Sequence, residues 1–132
     1  MTKKYIVEAN AGFDNIRFSE PRGDVRAKIG DFQEFKKNRF SKNTTDDFGN
    51  YHAFYNQENM LEAVEFFEGE VYLDDKVLFP NTSEGLLTML TNIDSQAYCT
   101  KDSVVSRKFG ISAYAPEGRL ATLLIHRPGY FD

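Results

Sequence analysis

The sequence has little of what usually identifies a function. Its 132 residues include one cysteine, Cys99, no tryptophan and no apolar run long enough to span a membrane. A single cysteine excludes an internal disulfide framework, which makes a reducing cytoplasm the natural compartment. The opening Met1-Thr-Lys-Lys leads into a short apolar run unlike a signal peptide. We therefore expect a cytoplasmic protein that does not enter a membrane.

Motifs for metal and cofactor chemistry are also absent. The glycines form neither a P-loop nor a dinucleotide fingerprint, and no zinc or EF-hand spacing occurs. A metal site could be built from Asp46, Asp47 and His52, with Asp74 and Asp75 nearby if the strands pair. However, adjacent aspartates are usually turn residues, and two histidines make a poor set for zinc. We therefore predict no metal and no cofactor.

Residues for nucleophilic catalysis are equally sparse. Cys99 and His126 are the candidates for a thiol and its base, but no family signature surrounds the cysteine. A small half-buried residue in a loop is the simpler interpretation of Cys99. We therefore predict no catalytic residue.

What the chain does have is enough apolar material for a core. Hydrophobic residues make up 41% and aromatic residues 14%, so disorder is not expected and the length suits a single domain over residues 1–132. The net charge of −4 is unevenly spread: residues 1–42 hold ten basic and six acidic residues, whereas residues 43–75 hold nine acidic and no basic ones. This acidic segment (residues 43–75) argues against nucleic-acid binding and suits a basic protein partner.

The best-formed stretch runs from Val77 to Ile93 and predicts a strand, a turn and a helix. Asn81 can cap the helix, and Glu84 stands three residues later, as in a capping box. Apolar residues then follow at helical spacing. These are Leu86, Leu87, Leu90 and Ile93.

An echo of this stretch lies 61 positions earlier, where Ile16-Arg-Phe18 matches Val77-Leu-Phe79 and Phe48-Gly49 matches Phe109-Gly110. After one or two residues are dropped, three further apolar positions match. Leu61, Val64 and Phe66 fall on Leu120, Leu123 and Ile125. Chance and internal duplication are both compatible with these matches. Duplication predicts two strand-helix-strand-strand repeats, at about 13–68 and 76–127.

Alternation and turn residues predict the remaining elements. A first helix is expected from about Glu20 to Ile29, capped by Ser19 and ended by Gly30. Residues 60–68 contain strong helix formers, but the repeat register favours a strand, with a helix as the alternative. Residues 94–106 are expected to form a loop. The strands are expected at residues 4–9 (an edge strand), 13–18, 48–55, 108–115 and 120–126, with a hairpin at 70–79. The predicted fold class is α+β, an antiparallel β-sheet with two helices on one face.

The tyrosines suggest a binding surface. Alternation places Tyr51, Ala53 and Tyr55 on one face, and tyrosine among carboxylates suits a protein interface. The alternative is that these rings pack under loops. The residues predicted to bind a partner are Tyr51, Tyr55, Glu62, Glu65, Tyr72, Asp74 and Asp75.

The tandem layout resembles the fold of β-lactamase inhibitor protein relatives. Val77 to Ile93, Phe109 to Pro116 and Leu123 to Phe131 are also similar to stretches of small bacterial toxin-immunity proteins. The resemblance implies a non-enzymatic cytoplasmic protein whose acidic, tyrosine-bearing sheet surface covers a basic partner such as a toxin. This chain lacks the disulfides of the secreted inhibitors. The alternative is a small-ligand module with a pocket between helices and sheet; an enzyme ranks third. A monomer and a homodimer are both compatible with these functions.

Overall fold

The computed structural model describes residues 3–41 and 43–131 and has an α+β fold with mostly antiparallel strands in two sheets. The larger, eight-stranded sheet comprises β4 (Gln33–Phe35), β5 (Thr45–Asp47), β6 (Tyr51–Tyr55), β7 (Leu61–Phe66), β10 (Tyr98–Cys99), β11 (Ser103–Ser106), β12 (Ile111–Tyr114) and β13 (Thr122–His126). The smaller, five-stranded sheet comprises β1 (Lys4–Glu8), β2 (Gly12–Phe13), β3 (Ile16–Arg17), β8 (Glu70–Leu73) and β9 (Lys76–Phe79). The helices are α1 (Arg22–Ile29) and α2 (Ser83–Thr91).

The eight-stranded sheet consists of two meanders joined in the middle. Its order is β10-β11-β12-β13-β7-β6-β5-β4, and β13 pairs antiparallel with β7. Each meander follows one helix in the chain, α1 before β4–β7 and α2 before β10–β13. The predicted α+β class is confirmed, with the strands divided between two sheets.

Four aromatic rings hold the two sheets together. Tyr5 and Phe13 of the smaller sheet pack on Tyr51 and Phe66 of the larger one, with ring centroids 5.2–5.4 Å apart. Three of the four pairs between the sheets are edge-on and the fourth is tilted, and such contacts add to simple burial. The side of the eight-stranded sheet that carries Tyr51 is therefore its inner face.

Both helices also lie on the inner face. Val25 of α1 and Leu86 and Leu90 of α2 are fully buried in the same apolar cluster as Tyr51 and Phe66. The prediction of two helices on one face of the sheet is thus confirmed. Since each helix has only one or two fully buried apolar side chains, it depends on this packing rather than on helix propensity.

The helix caps differ from the prediction. Thr82 is the N-cap residue of α2, and its side-chain oxygen accepts a hydrogen bond from the Gly85 N–H at 3.0 Å. Asn81 instead accepts from the N–H of Thr82 at 2.7 Å, one residue too early to cap the helix. The first helix begins after Pro21, not after Ser19, and has no side-chain cap bond. Ser19 has a positive φ of 74° and belongs to the turn before the helix.

The strand assignment of residues 60–68 is correct, since Leu61–Phe66 forms β7 in the middle of the sheet. The hairpin over residues 70–79 is also correct. Three expectations were wrong. Residues 94–106 contain β10 and β11, and the strand expected at residues 13–18 is replaced by a tight turn between β2 and β3, which pair antiparallel. The first strand is internal, because β1 pairs with both β2 and β8. Its pairing with β8 is parallel.

Matching hydrogen bonds occur in the two halves of the chain. The N–H of Leu61 donates to the carbonyl of Glu20 at 2.9 Å, and that of Leu120 donates to the carbonyl of Asn81 at 3.1 Å. Leu61 aligns with Leu120 in the predicted repeat, and Glu20 aligns with Asn81 at the 61-residue offset. These bonds are what duplication would produce, but duplication itself stays a prediction.

Candidate functional site

The outer face of the eight-stranded sheet is open in the described part of the chain, because the helices and the smaller sheet all pack on the inner face. One row of side chains crosses it in register from β10 to β5. The row is Tyr98, Val105, Ser112, Leu124, Glu65, His52 and Asp47. A sheet face with this mixture of aromatic, aliphatic and polar groups is suited to contact another molecule.

A groove of about 610 Å³ lies over one half of this open face. Its exposed aromatic residues are Tyr98, Tyr114 and Phe131, which are 45%, 51% and 58% exposed. The other lining residues are Glu65, Ser103, Val105, Arg107, Ser112, Ala113, Thr122, Leu124, His126, Gly129 and Tyr130. The groove thus combines aromatic walls with a floor of hydroxyl and aliphatic side chains.

Glu65 is the one carboxylate among the described lining residues. It is half-buried between Leu124 and His52 on the neighbouring strands. Within residues 3–41 and 43–131 it forms no hydrogen bond and no ion pair, whereas Arg107, the lining cation, has an interaction of its own. Glu65 can therefore accept hydrogen bonds from a bound molecule.

The end of the chain forms an aromatic wall of the groove. The His126 ring stacks on Tyr130 at 5.3 Å and meets Phe131 edge-on at 4.9 Å. Its Nδ1 lies 2.9 Å from the carbonyl oxygen of Arg127, which can only accept, so Nδ1 carries the proton. Burial lowers the pKa of His126, and a neutral ring follows at neutral pH.

The hydroxyl of Tyr130 lies in the field of the sheet carboxylates. Burial is the main cause that raises its pKa, and the negative charges of Glu62 and Glu65 raise it further. Glu62 is already paired with Arg127, at 3.3 Å. Tyr130 is therefore a neutral hydrogen-bond donor beside Glu65.

Cys99 and His126 do not form a nucleophile pair. Cys99 is exposed on β10, and His126 is buried on β13 with its Nδ1 bonded to the backbone. Within residues 3–41 and 43–131, no hydrogen bond joins the two side chains.

The seven residues predicted to bind a partner do not form one surface. Glu62 lies on β7 beside Arg127, and Glu65 lies in the groove. Tyr72, Asp74 and Asp75 belong to the β8–β9 hairpin of the smaller sheet.

Tyr51 and Tyr55 are 5% exposed, so the prediction that they lie on the open side was wrong. Alternation did place them on one face with Ala53, but that face packs on the smaller sheet and α1. The open face of β6 carries His52 and Phe54 instead. The His52 ring contacts the rings of Phe35 and Phe67, and Lys37 lies over the Phe54 ring. The neighbours of these two side chains are therefore aromatic and basic.

A buried charge network, which the sequence analysis did not predict, lies on the inner face. Asp46 is fully buried and accepts hydrogen bonds from Arg26 Nη2 at 2.7 Å, Arg22 Nη2 at 3.0 Å and the Tyr55 hydroxyl at 2.9 Å. The Arg22 guanidinium also lies over the Tyr55 ring, 4.3 Å from its centroid. The four-residue spacing of the two arginines on one helix was the signal that could have been noticed.

The network fixes the charge of Asp46. Burial alone would raise the pKa of Asp46, but the hydrogen bonds from Arg26, Arg22 and Tyr55 outweigh it and hold the pKa below its ordinary value. Both oxygens of Asp46 are occupied on the inner face, whereas Asp47 and His52 lie on the open face, so the three do not form the proposed metal site. Among the described residues, no group of three His, Cys, Asp or Glu side chains could hold a metal ion.

In comparisons with known proteins, no family model, no curated protein and no solved structure matches the chain. Neither described helix is long and apolar enough to cross a membrane. The groove, with its carboxylate and aromatic walls, is the described feature best suited to bind another molecule.

Proposed function

We propose that the chain is a non-enzymatic, cytoplasmic protein-binding domain of the bacterial immunity or inhibitor type, and that it holds its partner against the open face. The observation that carries this proposal is the groove of about 610 Å³ with exposed Tyr98, Tyr114 and Phe131 around it. Aromatic residues are enriched where proteins bind one another, because they bury large area at little entropic cost. The type is proposed from the tandem layout of helix and meander, which resembles that of β-lactamase inhibitor protein relatives.

The partner is proposed to be basic. Glu65 offers a carboxylate inside the groove that no described residue pairs with, and exposed Asp74 and Asp75 add negative potential from the smaller sheet. Such charges steer and orient a basic partner more than they add affinity. Glu62 contributes less than expected, because Arg127 already neutralises it.

A bulky residue on the floor of the groove tests the docking face. Ser112→Arg places a long side chain between Val105 and Leu124 of the open face. Thr88→Arg adds the same side chain to an exposed position of α2, and is the control. A partner identified by pull-down should bind the wild type and Thr88→Arg equally, and Ser112→Arg at least tenfold more weakly. Equal binding to all three proteins would refute the docking face.

Charge reversal tests the electrostatic part. Glu65→Lys should weaken binding by about tenfold and reduce its salt dependence, since an attraction becomes a repulsion. Glu68→Lys changes an exposed residue outside the groove lining, and should have a smaller effect. If the salt dependence of Glu65→Lys equals that of the wild type, the proposed basic partner is wrong.

A small-ligand module is the second candidate, because the groove has the volume of known small-molecule sites, about 300–1,000 Å³. A smaller cavity of about 450 Å³ lies between α1 and the sheets, where Phe13 and Phe48 contribute to its lining. A ligand should raise the melting temperature in a saturable way. Loss of that rise in Ser112→Arg would place the ligand in the groove, whereas its persistence would point to the smaller cavity.

A further inference from the structure

We propose that the groove holds an arginine side chain of the partner, with Glu65 as the counter-ion of the guanidinium and the surrounding aromatic rings as its stacking surfaces. This inference deepens the proposed function and rests on it for the source of the arginine. It names the residue type that recognition requires.

The state of Glu65 is the first argument. A carboxylate is costly to desolvate unless it receives hydrogen bonds, and Glu65 is half-buried without a hydrogen bond or ion pair in the described chain. Docking of a partner would remove its remaining water. A cationic donor offsets that loss most strongly, and a guanidinium fits a carboxylate with two parallel hydrogen bonds.

The aromatic rings are the second argument. Tyr98, Tyr114, Tyr130 and Phe131 all line the same groove as Glu65. The face of an aromatic ring is negative and attracts a cation, most favourably when water is excluded. A planar guanidinium can stack on such a ring while its edge binds the carboxylate, which a lysine ammonium cannot do.

The same chemistry already occurs inside this protein. Arg22 binds the carboxylate of Asp46 at 3.0 Å while its guanidinium lies 4.3 Å from the centroid of the Tyr55 ring. Arg26 binds the same carboxylate at 2.7 Å and lies 4.0 Å from the centroid of the Phe32 ring. The groove likewise presents a carboxylate and aromatic rings, with Arg107 also in its lining.

Arg107 opposes a bound cation, since it lines the groove and carries the same charge. Because like charges repel across the groove, Arg107→Gln should tighten the binding of a guanidinium by about threefold. A weaker binding in Arg107→Gln would contradict the inference.

The test uses N-acetyl-arginine amide as probe and N-acetyl-citrulline amide, its uncharged analogue, as control. NMR titration of the ¹⁵N-labelled protein should give saturable shifts of the Ser112 and Leu124 amides, with a dissociation constant on the order of millimolar. The citrulline analogue should bind at least tenfold more weakly. Equal binding of both probes would overturn the inference.

Variants assign the effect to residues. Glu65→Gln should weaken the arginine probe by about tenfold, and Tyr114→Ala by about threefold, whereas Glu68→Gln should match the wild type. Glu65 and Tyr114 are not core residues. An unchanged affinity in Glu65→Gln, with the fold verified by circular dichroism, would overturn the inference.

Failure of the arginine inference is distinguishable from failure of the proposed function. If neither arginine nor citrulline analogue binds but Ser112→Arg still loses the protein partner, the arginine inference is overturned and the docking face stands. If the arginine probe binds through Glu65 but Ser112→Arg retains the partner, the docking face is overturned and the cation site stands.

Discussion

Asp46→Asn removes the charge at the centre of the buried network and keeps the size of the side chain. The carboxylate of Asp46 is fully buried, and the side chains of Arg22 and Arg26 that bind it are 10% and 25% exposed. The substitution leaves the Arg22 guanidinium without its buried counter-ion and leaves Arg26 with only its ion pair to Glu34, at 3.1 Å. Its amide also replaces one acceptor oxygen with a donor that faces them.

The magnitude follows from this arrangement. Removal of one partner from a buried ion pair costs about 3–5 kcal/mol, because the remaining charge stays desolvated. A domain of this size has a free energy of unfolding of about 5–15 kcal/mol, so the loss is a large share of the total. The control is Asp47→Asn, next in the same strand. The side chain of Asp47 is 38% exposed and its ion pair with His52 is long, at 3.7 Å, so its loss should be under about 1 kcal/mol.

Urea unfolding followed by circular dichroism at pH 7 measures both losses. If Asp46→Asn loses no more than Asp47→Asn, the network does not stabilise the fold and the reasoning is wrong. The pH dependence gives a second check. Since the folded pKa of Asp46 lies below its ordinary 3.8, its contribution is present above pH 4 and is lost as the pH falls through the folded pKa. The difference between the wild type and Asp46→Asn should therefore shrink in acid.

Three further substitutions test local features. Gly110→Ala should lower the free energy of unfolding by about 2 kcal/mol or more, because the φ of Gly110 is +64° and a Cβ would lie 2.5 Å from the His126 carbonyl oxygen. A Cβ at Gly118 would meet open space, so Gly118→Ala should lose less stability in urea unfolding. Thr82→Ala should lower the stability by about 1 kcal/mol in the same assay, because the helix cap is lost. Ser19 forms no cap, so Ser19→Ala should lower it clearly less, and equal losses would contradict the cap assignment. Burial lowers the pKa of His126, so protonation opposes folding as the pH falls below about 6.5. His126→Asn should therefore flatten the decline in melting temperature between pH 7 and pH 5. An unchanged slope would contradict the neutral ring.

Local sequence signals predicted the elements whose partners are close in the chain. The hairpin over residues 70–79 was correct because two strands flank a short turn at Asp74-Asp75, and Asp74 adopts the positive φ of 56° that such turns need. The prediction of helix α2, which ends at Thr91, was correct because the spacing of its apolar residues is regular. The loop assigned to residues 94–106 was wrong because β10 and β11 are short and lack strong alternation.

The repeat register predicted what propensity alone could not. Residues 60–68 contain leucine, alanine and glutamate in a pattern that suits a helix. Their alignment with residues 119–126 nevertheless gave the correct strand, because β7 and β13 are central strands and pair with each other. Tertiary pairing overrode the local preference, and only a comparison within the chain revealed it.

Function was harder to predict because alternation identifies the two faces of a strand but not which one is buried. In β6 both faces carry aromatic residues, Tyr51 and Tyr55 on one side and His52 and Phe54 on the other. Burial of the tyrosine side was decided by distant residues, notably Phe13 against Tyr51 and Asp46 against Tyr55. The tyrosines proposed for binding therefore hold the core.

The reversal of faces changes which chemistry the protein can present. With the tyrosines of β6 inside, the open face presents Glu65 at the groove and aromatic rings from β10, β12 and the end of the chain. Asp46 of the acidic segment is paired with arginines inside and Glu62 with Arg127, so Glu65 is the carboxylate that this segment contributes to the described lining of the groove. Recognition through a single desolvated carboxylate depends on hydrogen-bond geometry more than on net charge. We therefore expect a basic partner to be held through one well-placed arginine, while its overall basicity acts on the rate of encounter.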